Sequence, residues 1–284
     1  KRQDMVFDSQ VDLWETLDYK DDDGEMIILR ARAENAPGYL RGRAYDRYRN
    51  GRWNSPESKR SLLSELPEGR VTYTIFNRAG YLPGDDPVRI ELLPAGSFRS
   101  AVIPVPGTAA EFELVADDLK SDVDGTLTVS AWDASGGCTI LARPYPFTSA
   151  YPMPWPRTRE EHFYLEVPDN LETEMADIAD LIFDGHENDG TRTKINQLNR
   201  YFQQNFSYQL GVEMRPNRDP VLQFLTEKRR GHCELFATST ALLLRSQGIP
   251  TRYITGFVCA EPHPYSGHWL SRLGISRGEL VLTG

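Results

Sequence analysis

Cysteine is scarce. Cys138, Cys233 and Cys259 are the three cysteines in 284 residues. So odd and sparse a set excludes a disulfide framework, and the spacing favours no particular pair for a single bridge. Basic charge is also in deficit, with 32 Lys and Arg against 41 Asp and Glu and a net charge of −9. That balance argues against a nucleic-acid partner and against adhesion to an anionic membrane surface. No apolar run approaches the roughly 20 residues that a membrane-spanning helix needs. Residues 1–12 lack the apolar core of a signal peptide. A chain that begins Lys1-Arg2 without Met reads as a piece of something longer. Internal repeats and low-complexity tracts are absent.

What is present suffices for real cores. The hydrophobic fraction is 39% and the mean hydropathy −0.50, and the length suggests two domains. The first half reads as strands. Met26 to Ala31 follows the acidic turn Asp21-Asp22-Asp23-Gly24, as one arm of a hairpin follows its turn. With Asp18-Tyr19-Lys20 that turn is similar to a common epitope tag, but its place between strand-like stretches makes it a native turn. Arg70 to Phe76, Pro87 to Leu93, Glu111 to Val115 and Thr126 to Trp132 follow, separated by turns such as Pro83-Gly84-Asp85-Asp86. Short strands at such intervals predict a β-sandwich or barrel.

From Pro144 to Pro156 prolines recur too often for a helix interior or a central strand. This stretch, about residues 142–158, reads as a semi-rigid linker. Beyond it the period becomes helical. Met175, Ile178, Ala179 and Ile182 mark a helix over 171–183. Ile195, Leu198, Tyr201 and Phe202 mark a second over 193–206, capped by Thr191 or Thr193. A short helix is predicted over 220–228, and a long apolar one from Glu234 to about Gln247, stopped by Gly248 and Pro250. Thr251 to Val258 reads as a strand. The expectation is an α+β chain, with a β-rich domain over 1–162, linker included, and a second domain over 163–284.

Cys233 stands at the start of the long helix. A helix N-terminus favours negative charge, which lowers a thiol's pKa and raises its thiolate fraction. Gly231 lets the backbone approach closely there, and Ala237 is small enough for close packing one turn on. The alternative is a small buried hydrophobe, the commoner fate of an isolated cysteine. Local chemistry leaves both open.

Longer segments add a resemblance. Asn205-Phe206-Ser207-Tyr208, Asp219 to Leu225, Gly231-His232-Cys233-Glu234-Leu235-Phe236-Ala237-Thr238 and Leu243 to Phe257 together resemble the bacterial transglutaminase-like family. Tyr39-Leu40-Arg41-Gly42, Tyr45-Asp46 and Tyr48 through Trp53 are similar to a motif preceding the thiol core in one branch. That branch holds membrane-anchored proteins whose soluble module lies outside the cytoplasm. The resemblance implies a papain-like fold with Cys233 as nucleophile, attacking a glutamine or peptide amide to form a thioester. A histidine would move the proton and an aspartate would orient it. It implies a protein or peptide substrate, an extracytoplasmic location and no cofactor.

The match then departs from the family. A His-Ala-Trp segment is expected near residue 277, where the chain reads Ser276-Arg277-Gly278-Glu279. No Asp follows Cys233, and the later acids are Glu234, Glu261 and Glu279. The core is therefore expected to be truncated or altered after about residue 274. His268, beside Trp269, is the remaining candidate for the base, against a reading as a surface histidine at a strand start. His263, between prolines, reads as solvated, and His232 as structural or specificity-related. A zinc site from His232, Cys233, Cys259 and His263 lacks any recognised ligand spacing. Two functions follow: a thiol enzyme acting on amides, or a non-catalytic module that binds peptides or partners through a defective core. A third places the function in the β-rich half, docking an envelope or secreted partner.

Overall fold

The computed structural model describes residues 7–14, 26–56, 59–61, 70–74, 88–95, 100–106, 109–115, 119–122, 124–132, 137–142, 161–262 and 269–273. The proline-rich stretch lies outside them. Strands Met26–Arg32, Arg70–Thr74, Val88–Pro94, Ala109–Val115 and Leu127–Trp132 stand where the alternating runs predict them. No helix occurs among the described residues between 26 and 142.

All but one pair of the described strands gather into antiparallel sheets. The largest has seven strands in the order Glu261–Pro262, Trp269–Leu273, Met26–Arg32, Val88–Pro94, Cys138–Ala142, Ala109–Val115, Arg70–Thr74. A four-stranded sheet holds Lys59–Ser61, Lys120–Asp122, Leu127–Trp132 and Ser100–Ile103. Inward positions of both, among them Leu29, Leu92, Ile103, Leu127 and Ile140, share one apolar core.

Four α-helices follow among the described residues. Helix α1 (Asp169–Phe183) buries Leu171, Met175, Ala179 and Ile182, the stripe a 3.6-residue period produces. Helix α2 (Thr191–Asn205) buries Leu198 and Phe202. The expected threonine cap is not formed. Gly190 is the N-cap, in extended backbone, which places Thr191 inside the first turn, and no side chain caps the helix. The predicted helix over 220–228 is split in two. Helix α3 (Pro220–Gln223) begins at Asp219, whose carboxylate accepts the Val221 N–H at 2.9 Å. A π-helical turn, Phe224–Lys228, follows, closed by the Arg229 N–H bonding to Phe224 O at 3.0 Å. Helix α4 (Cys233–Ser246) is the long apolar one.

Pairing runs across residue 162. Strand Tyr253–Cys259 lies antiparallel to Gly38–Tyr45, matched from Tyr253↔Tyr45 to Cys259↔Gly38. Trp269–Leu273 pairs with Met26–Arg32. The strand core takes in Phe257 and Cys259, while the helical core takes in Leu13, Tyr45, Tyr48 and Trp53. Each core therefore draws on both parts of the chain.

Candidate thiol site

Cys233 is the first residue of α4, with His232 as N-cap in extended backbone. The Leu235 and Phe236 N–H groups both bond to His232 O, at 3.1 and 3.3 Å, which fixes the first turn. Cys233 is half-buried, whereas Cys138 and Cys259 are buried, and no disulfide joins the three. Burial pushes both buried thiols up to about 12, with the Glu113 charge adding to the rise at Cys138. The helix dipole acts in the opposite direction on a thiol at the first position of α4.

The approach to Cys233 is held by backbone. Strand Arg230–Gly231 runs parallel to Ser207–Tyr208, with Ser207 N–H bonding to Arg229 O and Gln209 N–H to Gly231 O. Gly231 is required by contact: a Cβ there would stand 2.6 Å from Leu235 Cδ1 and 3.0 Å from Phe224 Cδ2. Behind it Phe202, Phe206, Phe224 and Phe236 pack ring to ring, with Phe224 and Phe236 centroids 4.8 Å apart. Such a cluster is stiff and large enough to fix the start of α4.

The motif at residues 39–53 reaches the other side of α4. Trp53 is fully buried and donates from Nε1 to Thr238 Oγ1 at 2.9 Å. Its ring stacks on Tyr253 at 5.2 Å, with the Arg245 guanidinium 5.1 Å from the centroid of the Trp53 ring. Tyr48 donates to Asp219 at 2.9 Å, on the carboxylate that caps α3. Tyr253 is pushed well above the ordinary phenol value, first by burial and then by the charges of Glu234 and Cys233. Tyr45 is pushed up to about 12, mainly by burial, and also feels Glu234. Tyr253 thus feels the charge of Cys233, and both tyrosines feel that of Glu234, the next residue along. Sequence reasoning missed the two tyrosines. The signal was available for Tyr253, which faces inward on the strand that follows α4.

The candidate histidines differ in position. His232 is buried, its Nε2 has no hydrogen-bond partner among the described residues, and burial pulls its pKa down to about 4. It is neutral at neutral pH. His268, His263 and Arg277 lie outside the described residues. Trp269, next to His268, opens strand Trp269–Leu273 and donates from Nε1 to Ala33 O at 3.2 Å. Among the described residues no group of three or more His, Cys, Asp or Glu is placed to hold a metal. Of the residues weighed for zinc, Cys259 is buried in the strand core and Cys233 opens α4.

Residues 177–276, which include the helix that Cys233 opens and the strand after it, match the model of the transglutaminase-like superfamily. The likeness to that superfamily covers this core, about a third of the chain. It is 32% identical over 101 residues to YebA of Bacillus subtilis (strain 168), a protein described as uncharacterized. The matched segment is 34% of this chain and 13% of YebA. The fold is that of the periplasmic domain of TgpA from Pseudomonas aeruginosa. In its ethylmercury-bound structure the TM-score is 0.65 at 18% identity, covering 94% of this chain and 88% of that one. A second structure of the same domain gives 0.64 at 17% identity, covering 94% and 85%. Among the described residues no helix is long and apolar enough to cross a membrane.

Proposed function

We propose that Cys233 is the nucleophile of an extracytoplasmic thiol site that takes glutamine or peptide amides as acyl donors. The observation that carries this reading is the placing of Cys233, half-buried at the first position of α4, while the other two thiols are buried. The sulfur adds to the amide carbon, the C–N bond breaks, and the departing amine takes up the proton the thiol lost. Water or a second amine then cleaves the thioester. The proton carrier would be His268 or a histidine supplied from outside this chain. Periplasmic structural neighbours support the location, and a membrane-anchored parent protein is part of the same proposal.

Turnover by this chain is expected to be weak. Arg277 stands where the family's histidine is expected, and a guanidinium stays protonated and cannot accept the thiol proton. Loss of general acid–base help is worth about 10²–10⁴ in rate. A second reading, a cleft that binds peptides without turning them over, is favoured by His232. Beside the sulfur in sequence, it is buried, and with its pKa pulled down to about 4 it is a weak base for the thiol proton. The test is intact-mass analysis after incubation with an activated glutamine ester, alongside ammonia release from a glutamine-containing peptide. An acyl adduct on Cys233, lost in Cys233→Ala, with little ammonia release is the expected result. No adduct on Cys233 rules out the nucleophile. Rapid ammonia release abolished by both Cys233→Ala and His268→Ala rules out the weak-turnover reading.

A further inference from the structure

Just before Cys233 the chain carries three consecutive cations, Lys228, Arg229 and Arg230. In a chain of net charge −9, the segment leading into α4 carries Arg215, Arg218, Arg229 and Arg230. Arg215 and Arg218 both pair with one carboxylate, that of Glu227, and an exposed Glu213 lies two residues from Arg215. Arg229 and Arg230 are exposed, and among the described residues no carboxylate pairs with either.

Their placement is imposed by the backbone. Arg229 closes the π-helical turn in left-handed conformation, with φ 50 and ψ 23. Glycine takes that conformation without penalty, and a residue with a Cβ does not. An arginine kept in a strained position points to a use for its side chain, since the turn itself would prefer glycine. Arg230 is fixed differently. Its neighbour Gly231 faces Leu235 and Phe224, so alternation along the strand turns Arg230 outward. Three residues of extended chain span at most about 10 Å, which keeps the Arg230 backbone within that distance of Cys233 and its side chain within reach of a peptide bound there, with Arg229 one residue further.

We infer that Arg229 and Arg230 form a cationic edge of the Cys233 cleft that selects peptides carrying Asp or Glu beside the acylated residue. This inference names the substrate class of the proposed thiol site and rests on that reading. Guanidinium forks bind carboxylates bidentately, and a local field of one sign raises the encounter rate of the opposite sign.

The test needs no turnover. Cys233 is alkylated with chloroacetyl-Gly-Asp-Asp-amide and chloroacetyl-Gly-Lys-Lys-amide, and its modification is followed by peptide mass mapping. The ratio of the two rates cancels any change in thiolate fraction. Iodoacetate and iodoacetamide give the same ratio for a small anion. The acidic peptide is expected to react about tenfold faster than the basic one at low salt, the ratio falling toward one in about 0.5 M NaCl. In the double variant R229G/R230Q the preference should be lost. R229G alone should lower it while raising the melting temperature by about 2 °C, because the strain is relieved, so misfolding is not the cause. Equal labelling by the two peptides, or a preference that survives in the double variant, overturns the inference and leaves the proposed nucleophile standing. A preference for iodoacetate without one for the acidic peptide marks a small-anion site and overturns the peptide assignment. Failure of every reagent at Cys233 overturns both this inference and the nucleophile.

Discussion

The strand core and the start of α4 each hold cysteine, and they treat it in opposite ways. Cys138 and Cys259 sit among apolar side chains, where a thiolate has nothing to solvate it and the proton is held to about pH 12. Cys233 sits half-buried at a helix N-terminus. One residue type is thus inert packing in one region and a candidate nucleophile in the other. The difference is set by backbone position and burial rather than by the side chain.

The contrast is broken most directly by thiol labelling. At pH 7.5 the thiolate fraction of a thiol at pKa 12 is on the order of 10³-fold below that of an ordinary thiol at about 8.5. Iodoacetamide should therefore modify Cys233 at least that much faster than Cys138 or Cys259 in folded protein, with equal rates in denaturant. Comparable rates in the folded state would remove the distinction between the two regions.

Trp53 tests how far the start of α4 depends on the strands. Trp53→Ala removes the stack on Tyr253 and leaves Thr238 without its donor, and should cost about 3–5 kcal/mol in urea unfolding. A change under about 1 kcal/mol would mean that the motif only lies against the helix.

His232 sharpens the comparison through pH. Its folded pKa is about 4 against an ordinary 6.5, so between those values the unfolded chain binds more protons. Stability from this group falls as the pH drops from 6.5 to 4, by about 3 kcal/mol in total. Wild type and His232→Asn should therefore differ by a pH-dependent margin that shrinks on acidification. A margin constant from pH 7 to pH 4 would show that His232 is not held neutral.

The smallest effect belongs to Thr238. Thr238→Val keeps the volume and removes the acceptor of the Trp53 N–H, at an expected cost of about 1–2 kcal/mol. The labelling ratio of Cys233 to Cys259 should stay high in that variant.

The local structure was legible where it rests on period. The stripe Met175, Ile178, Ala179 and Ile182 identifies α1, and the alternating run at Val88 identifies its strand, because each pattern is fixed by residues close in sequence. The π-helical turn was not legible, since its period differs little from an α-helix over five residues. Partners were also hidden. Nothing in Tyr39-Leu40-Arg41-Gly42 states that it pairs with Tyr253–Cys259, and the change of period across the proline-rich stretch assigned the two to different domains. The structure gives Gly256 a reason the sequence withheld: a Cβ there would lie 2.1 Å from Leu40 O, at a register shift in that pairing. At the site, Cys233 and its helix could be read directly, and the contact of Trp53 with Thr238 on that helix could not.

The long-range pairing also sets a schedule for the ribosome. Strand Gly38–Tyr45 emerges about 200 residues before the strand that completes it, Tyr253–Cys259. At roughly 5–20 residues per second, the nascent chain would hold one edge of that strand unpaired for about 10–40 s. Trp53 and Tyr48 would wait as long for the helices that cover them. Folding of the thiol core is then a late event with high contact order, and the nascent N-terminal part is the stretch on which a holding chaperone would act.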